Sequence, residues 1–292
     1  MLLCYCGTAF GWGKSGHDAI AYIAECNLTP RAKRNIARYL DHSIVYYASW
    51  MDKYRDTPEF RNVEHVSYVD ADMQLLDTMK RIVEADTEND LLFILHCYGS
   101  HFSYHQRYPR EAAYFLPDDD VAIERQHKQK IWNAYDNSIR YTDTFLSSVI
   151  GYLASLDACS ALLYSADHGE DMLDDDRKRF LHASPTTTCW QLHVASLAWF
   201  SEDYKRVFPQ QAAAAASHEN APATTHALFQ TIADIARIEA DYVYREASLA
   251  SPSYDTTVRR CYLNDHNRAV PFRATGLNGS DLAYFRRRGI EL

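Results

Sequence analysis

Hydrophobic and polar positions in the first part of the chain follow the period of an α-helix. Residues 14–41 predict two helices, and the second begins at Thr29-Pro30, because a capping side chain followed by proline is a common helix start. A short helix is predicted around Tyr46–Tyr54 and a long one over residues 121–155. The apolar side of the long helix is predicted to comprise Ile131, Tyr135, Ile139, Phe145, Val149 and Leu153.

After residue 90 the pattern changes to short apolar runs. Leu91–Leu95, Ala161–Tyr164 and Val194–Phe200 each resemble a buried strand, and the first two lead into polar loops. Strands that alternate with helices favour an α/β fold, with a mostly parallel sheet flanked by helices and a small helical segment before it. Residues 70–90 join the two parts, and we place the boundary near Arg81–Asp90.

Composition narrows the classes of function. The formal net charge is -9, from 30 basic and 39 acidic residues in 292, so the chain lacks the basic surplus of a general nucleic-acid binder. An enzyme that acts on a phosphate ester remains compatible with this charge, since bound metal can supply the positive charge. The seven cysteines are irregularly spaced and indicate neither a zinc ribbon nor a disulfide framework. No apolar run reaches the length of about 18 residues that a membrane span needs.

The first eleven residues are similar to the end of a secretion signal. Ala9-Phe10-Gly11 fits a small-x-small cleavage pattern, which would leave Trp12 as the new N-terminus. A buried N-terminal strand is the alternative interpretation.

The strongest chemical signal is Asp167-His168-Gly169-Glu170, which follows the apolar run at 161–164. A carboxylate beside an imidazole suits zinc or another divalent metal, and the glycine allows a sharp turn. Loops at the ends of parallel strands converge on one crevice. Two further loops carry imidazoles, at His96, His101 and His182. A single histidine of this kind is more often structural, but the set predicts a metal and phosphate site.

Four motifs in this order resemble those of lipid A phosphoethanolamine transferases, which belong to the alkaline-phosphatase/sulfatase superfamily. They are LHCYGSH with RYP at 95–109, YDNSI with YTD at 135–143, SADHGE at 165–170 and FLHASP at 180–185. Ala166 stands where the family usually has serine. Order and spacing agree over roughly residues 91–200 and more loosely to about residue 290, so residues 91–292 are interpreted as a partial domain of this type.

The resemblance implies a two-step transfer, in which a metal-activated threonine takes phosphoethanolamine from phosphatidylethanolamine and passes it to lipid A or a related sugar phosphate. Asp167 and His168 would be metal ligands. The residues near the transferring phosphate or a second metal would be His96, His101 and His182. The location would be the periplasm or cell envelope, with association at the membrane surface. No residue before Leu91 matches the family's nucleophilic threonine or metal-binding glutamate, so the nucleophile is unassigned and a truncated domain with weak or no activity is expected.

Residues 12–80 have a second resemblance, to the zinc-dependent single-strand nuclease and phospholipase C superfamily. It rests on WGKSGH at 12–17, LTP at 28–30, WMD at 50–52 and a histidine at 65. The zinc ligands that it implies are Trp12, His17, Asp52 and His65. The later histidine and aspartate ligands of that family have no counterpart, so helices packed on the α/β domain are the alternative. Three hypotheses follow: a transferase, a nuclease fragment, and a non-catalytic fusion remnant.

Overall fold

The computed structural model of the protein describes residues 40–48, 71–182, 187–257, 261–263, 268–290 and 292, together with positions 22, 25, 30, 33, 34 and 37. The chain falls into two compact units, Met1–Leu146 and Ser147–Leu292, and each is described by itself. Within the described part of the chain, no helix combines the length and the apolar character that crossing a membrane requires.

The described part of the first unit is mainly helical. Positions 22, 25, 30, 33 and 34 are helical, as the sequence pattern predicts. The longer helices are α1 (Ile44–Ala48), α2 (Ala71–Ala85) and α3 (Lys128–Ser155), which continues into the second unit. Short 3-10 turns occupy Tyr104–Gln106, Arg110–Ala112 and Arg125–His127. Helix α2 lies in the segment interpreted as a connection between the two parts, and it buries Leu76 and Met79 on one face.

Helix α3 confirms the predicted long helix but not all of its apolar side. Phe145 and Val149 are each 2% exposed, whereas Ile139 is 45% exposed. Asn137 takes a buried position instead, and its side-chain oxygen accepts the backbone N–H groups of Tyr114 and Phe115. The hydrophobic pattern therefore predicted the wrong buried residue in this part of α3. A polar side chain is buried here because the backbone N–H groups of the neighbouring loop need an acceptor.

The second unit holds the sheets and the shorter helices. Among the described residues, its strand pairs are β1 (Ala161–Ser165) with β4 (Ser196–Phe200), β2 (Asp171–Met172) with β3 (Phe180–Leu181), and β5 (Cys261–Leu263) with β6 (Ala269–Pro271). Its helices are α4 (Cys189–Leu192), α5 (Glu202–Val207), α6 (Pro209–Ser217), α7 (Ala227–Ile235) and α8 (Gly279–Arg287). The predicted α/β class is confirmed.

The pairing of these strands differs from the prediction of a mostly parallel sheet. All three described pairs are antiparallel. A parallel pair needs a crossover of a dozen or more residues, usually a helix. Between β1 and β4 the chain forms the β2–β3 pair and the four-residue helix α4, so it returns in the opposite direction. The run Leu91–Leu95 is half-buried and, within the described residues, is not paired in a sheet; an apolar run indicates burial but not a partner.

Strand β4 is the more exposed partner of the β1–β4 sheet, which has two strands in the described part of the chain. Leu197 is 40% exposed, while Phe200 at the end of the strand is buried. The sequence of β4, Ser-Leu-Ala-Trp-Phe, contains no charged side chain.

Candidate metal centre

A short loop between β1 and β2 carries the sequence Asp167-His168-Gly169-Glu170. Backbone hydrogen bonds hold it at two points. The Ala166 N–H donates to the Ala195 carbonyl at 3.0 Å, and the Gly169 N–H donates to the Gln191 carbonyl at 2.9 Å. The path of the loop is therefore fixed by the segment that forms α4 and leads into β4.

Gly169 lies where no other residue fits. A Cβ atom at this position would be 2.0 Å from the carbonyl oxygen of Trp190. The contact is with backbone, which cannot swing aside as a side chain can. The absence of a side chain thus lets the loop approach α4 and turn His168 and Glu170 into one site.

Asp167 and His168 form one half of the candidate centre. Nδ1 of His168 lies 3.0 Å from the Gly169 carbonyl oxygen, which only accepts, so Nδ1 carries the proton and Nε2 carries the lone pair. That Nε2 is 3.6 Å from Oδ2 of Asp167. Two ligands of one tetrahedral zinc lie about 3.4 Å apart, given bonds of about 2.1 Å. Donation from the other ring nitrogen to a carbonyl is also the usual arrangement for a metal-binding histidine, so the pair fits a divalent metal.

Glu170 and His182 form the other half. Nδ1 of His182 lies 3.2 Å from Oε1 of Glu170, whose side chain is 5% exposed. The ring of His182 packs on that of His168, with centroids 3.6 Å apart. One donor atom from each of these three residues lies within 4.8 Å of the others, an arrangement that could hold a metal ion. The sequence placed Glu170 in the Asp167-His168-Gly169-Glu170 motif but assigned it no role.

The other predicted site residues belong to other parts of the chain. His96 and His101 belong to the first unit, and their assignment to the phosphate site remains a prediction. The carboxylate of Asp72 anchors their loop, because it accepts hydrogen bonds from the N–H groups of Tyr98 and Gly99 at 2.8 and 3.0 Å. The predicted nuclease-like ligands lie outside the described residues: Trp12, His17, Asp52 and His65.

Asp281 of helix α8 binds two segments that neighbour the candidate centre in the chain. Asp281 is fully buried and accepts two hydrogen bonds of 2.8 Å from the guanidinium group of Arg177 and one from the Cys189 N–H. Burial alone would raise the pKa of Asp281, but these donors outweigh it and lower the pKa to about 2. Arg177 lies between β2 and β3 and Cys189 begins α4, so one carboxylate connects both segments beside the loop.

Known proteins are similar to this chain in sequence and in fold. The sequence model of the family described as sulfatase matches residues 19–238, about three quarters of the chain. This chain belongs to the sulfatase family. Its match to the family spans β1, the centre and β4, which confirms the predicted superfamily.

Curated relatives of this sulfatase-family chain include transferases of phosphoethanolamine. The Kdo(2)-lipid A phosphoethanolamine 7''-transferase of Salmonella typhimurium is 37% identical over 135 residues, which are 46% of this chain and 23% of the relative. Phosphoethanolamine transferase EptA of the same organism is 32% identical over 125 residues, or 41% of this chain and 22% of the relative. The chain thus spans about a quarter of the length of these relatives.

Solved structures share the fold. The C-terminal periplasmic domain of EptC from Escherichia coli superposes with a TM-score of 0.61 at 22% identity, over 72% of this chain and 59% of that domain. A complex of the same domain with Zn gives a TM-score of 0.60 at 21% identity, over 70% and 59%. The soluble domain of lipooligosaccharide phosphoethanolamine transferase A from Neisseria meningitidis gives 0.55 at 25% identity, over 61% and 55%. The predicted alkaline-phosphatase-like fold is confirmed.

Proposed function

We propose that this sulfatase-family chain serves metal-dependent transfer of phosphoethanolamine from phosphatidylethanolamine to lipid A or a related sugar phosphate. The observation that carries the proposal is the Asp167–His168 pair, with a lone-pair nitrogen 3.6 Å from a carboxylate oxygen beside the ring of His182. The names of the relatives supply the substrate class.

Zinc is the proposed metal, held by Asp167 and His168. An imidazole and a carboxylate are ordinary zinc ligands, and a bound zinc acts as a Lewis acid that polarises a phosphoryl oxygen. The tautomer of His168 suits this role, because Nδ1–H donates a hydrogen bond to the Gly169 carbonyl and Nε2 keeps its lone pair for the metal. The carboxylate of Asp167 is 59% exposed, so an incoming ion can reach it.

His182 is the proposed contact to the phosphoryl group. In the first step the nucleophilic hydroxyl loses its proton and forms a bond to phosphorus, the bond from phosphorus to the lipid oxygen breaks, and that oxygen takes up a proton. In the second step an oxygen of the acceptor phosphate loses its proton and forms a bond to phosphorus, the bond from phosphorus to the nucleophile breaks, and the nucleophile regains a proton. The side chain of His182 is 13% exposed beside the Asp167–His168 pair, so its Nε2 is placed to accept a hydrogen bond from a hydroxyl that enters or leaves at the phosphoryl group. The nucleophile itself is unassigned in this chain.

The proposed location is the periplasm or cell envelope, where both lipid substrates are found at the membrane surface. Support comes from the structural relatives, which are periplasmic domains.

Transfer is tested by incubating the zinc-loaded protein with labelled phosphatidylethanolamine and a Kdo-lipid A acceptor, followed by mass spectrometry of the acceptor. Because the nucleophile is unassigned, we expect only a weak gain of phosphoethanolamine, and we expect it to disappear in His168→Ala and Asp167→Asn. His226→Ala is the matched control, because this histidine is exposed and lies at the start of α7. An acceptor that stays unmodified at every protein concentration would overturn the proposal.

A further inference from the structure

We propose that Glu170 is a positioning residue for His182 and not a metal ligand. Its buried carboxylate would hold the Nδ1 proton of His182 and so leave the opposite nitrogen, Nε2, to accept a hydrogen bond from a hydroxyl that enters or leaves at the phosphoryl group. The role of Nε2 rests on the proposed function, whereas the pairing of the two side chains is independent of it.

The β2–β3 hairpin brings the two residues together. Its register pairs Met172 with Phe180 and Asp171 with Leu181. Glu170 and His182 directly flank the last pair of this ladder, on the two strands' open side. The hairpin therefore brings the two residues close together, and their side chains are in contact at 3.2 Å.

The position of Glu170 is fixed on both sides. The Gly169 N–H before it is bound to the Gln191 carbonyl at 2.9 Å. After it, the buried carboxylate of Asp171 accepts hydrogen bonds from Thr188 at 2.7 Å and from the Gln191 side chain at 2.6 Å. Helix α4 and its capping residue Thr188 therefore hold the residues on both sides of Glu170, which limits the freedom of its side chain.

The hydrogen bond determines the tautomer of His182. An ionised carboxylate only accepts, so the contact of 3.2 Å places a proton on Nδ1 of His182 and the lone pair of the neutral ring on Nε2. Carboxylates orient histidines in this way at many catalytic and metal sites. Packing against His168, at 3.6 Å between centroids, fixes the plane of the ring as well.

The competing assignment makes Glu170 a third ligand, together with His168 and His182. The two assignments differ in what Glu170→Gln does. Glutamine keeps an oxygen that accepts the Nδ1 proton, but it is a far poorer zinc ligand than a carboxylate. A positioning role therefore predicts that Glu170→Gln retains zinc, and a ligand role predicts that it does not.

The first measurement is zinc stoichiometry and affinity, by elemental analysis and calorimetry, for the wild-type protein, Glu170→Gln, Glu170→Ala and His168→Ala. We expect Glu170→Gln to bind zinc within about threefold of wild type, while His168→Ala loses it. Loss of zinc in Glu170→Gln equal to that in His168→Ala would overturn the proposal in favour of the ligand role.

The second measurement is the tautomer of His182, by long-range nitrogen–proton NMR of protein labelled at histidine and assigned with His182→Ala. We expect a single Nδ1–H tautomer in wild type and in Glu170→Gln, and its loss in Glu170→Ala. An unchanged pattern in Glu170→Ala would contradict the positioning role. Neither measurement needs turnover, so a failure of the transfer assay leaves this result intact, and the reverse also holds.

Discussion

The candidate centre depends on the absence of a Cβ atom at Gly169. The position of Gly169 against the Trp190 carbonyl makes the turn between His168, the proposed metal ligand, and Glu170, the proposed positioning residue, possible. Every side chain at this position must push the loop away from α4. The Asp167–His168 and Glu170–His182 contacts both begin at this turn, so they would move together.

Gly169→Ala should lower the free energy of unfolding by about 3 kcal/mol, the upper part of the usual cost of overpacking, and should weaken zinc binding. Denaturant unfolding and zinc titration measure the two effects. Gly151→Ala is the matched control, since this glycine is exposed within α3 and an added Cβ meets nothing within 4 Å. That substitution should raise stability by about 0.5–1 kcal/mol. Equal effects of the two substitutions would contradict the close contact.

Sequence reasoning reached some site residues and not others. Asp167 and His168 are adjacent in the chain and follow an apolar run, so their shared site could be predicted directly. The pairing of Glu170 with His182 depends on the register of strands only two residues long. So short a segment has no readable periodicity, and the pairing becomes visible only in the fold.

Helix α8 acts as a brace through one carboxylate. Asn278 caps the helix and forms a capping box with Asp281. The same carboxylate binds Arg177 and the start of α4, so the cap of the helix and the support of the centre share one group. No sequence pattern links residues 177 and 281, which are 104 positions apart.

Asp281→Asn should lower the free energy of unfolding by about 3 kcal/mol at neutral pH, because it leaves Arg177 with a weakened partner. Urea denaturation measures this effect. The folded pKa of about 2 lies below the ordinary value of 3.8, so the stabilising charge is fully present above about pH 4 and is lost as the pH falls towards 2. The difference in the free energy of unfolding between the wild-type protein and Asp281→Asn should therefore shrink between about pH 4 and pH 2.

Glu202→Gln is the control for this prediction. Its carboxylate pairs with Lys205 but is 90% exposed, so its replacement should change stability by no more than about 0.5 kcal/mol at any pH. If the loss of unfolding free energy in Asp281→Asn stays constant from neutral to acidic pH, the charge of Asp281 is not the source of the stabilisation.

For the whole molecule, the α/β class followed from alternating apolar runs and helical patterns, and the superfamily followed from four ordered motifs. The antiparallel pairing of β1 with β4 could not be predicted in this way, because an apolar run does not reveal the direction in which its strand pairs. The same limit applies to the buried polar groups of α3, whose positions are set by a neighbouring loop and not by helical periodicity.

Zinc should stabilise the folded protein as a whole, since an ion that binds the native state shifts the unfolding equilibrium. At a free concentration of about 100 times Kd the gain is about 2.7 kcal/mol, or a rise in Tm of about 5–10 °C. Thermal unfolding with and without zinc measures this. His168→Ala should lose the rise and His226→Ala should keep it; a rise of the same size in both variants would place the ion elsewhere.

The uncharged, exposed strand β4 has a practical consequence. Among the described residues β4 pairs with a strand on one side only, and it carries Leu197 at the surface and no charged side chain to repel a neighbour. A strand of this kind can template growth of β-structure between molecules. The shelf life of concentrated preparations will therefore depend on protein concentration and on early-forming aggregates, even where every individual molecule is correctly folded.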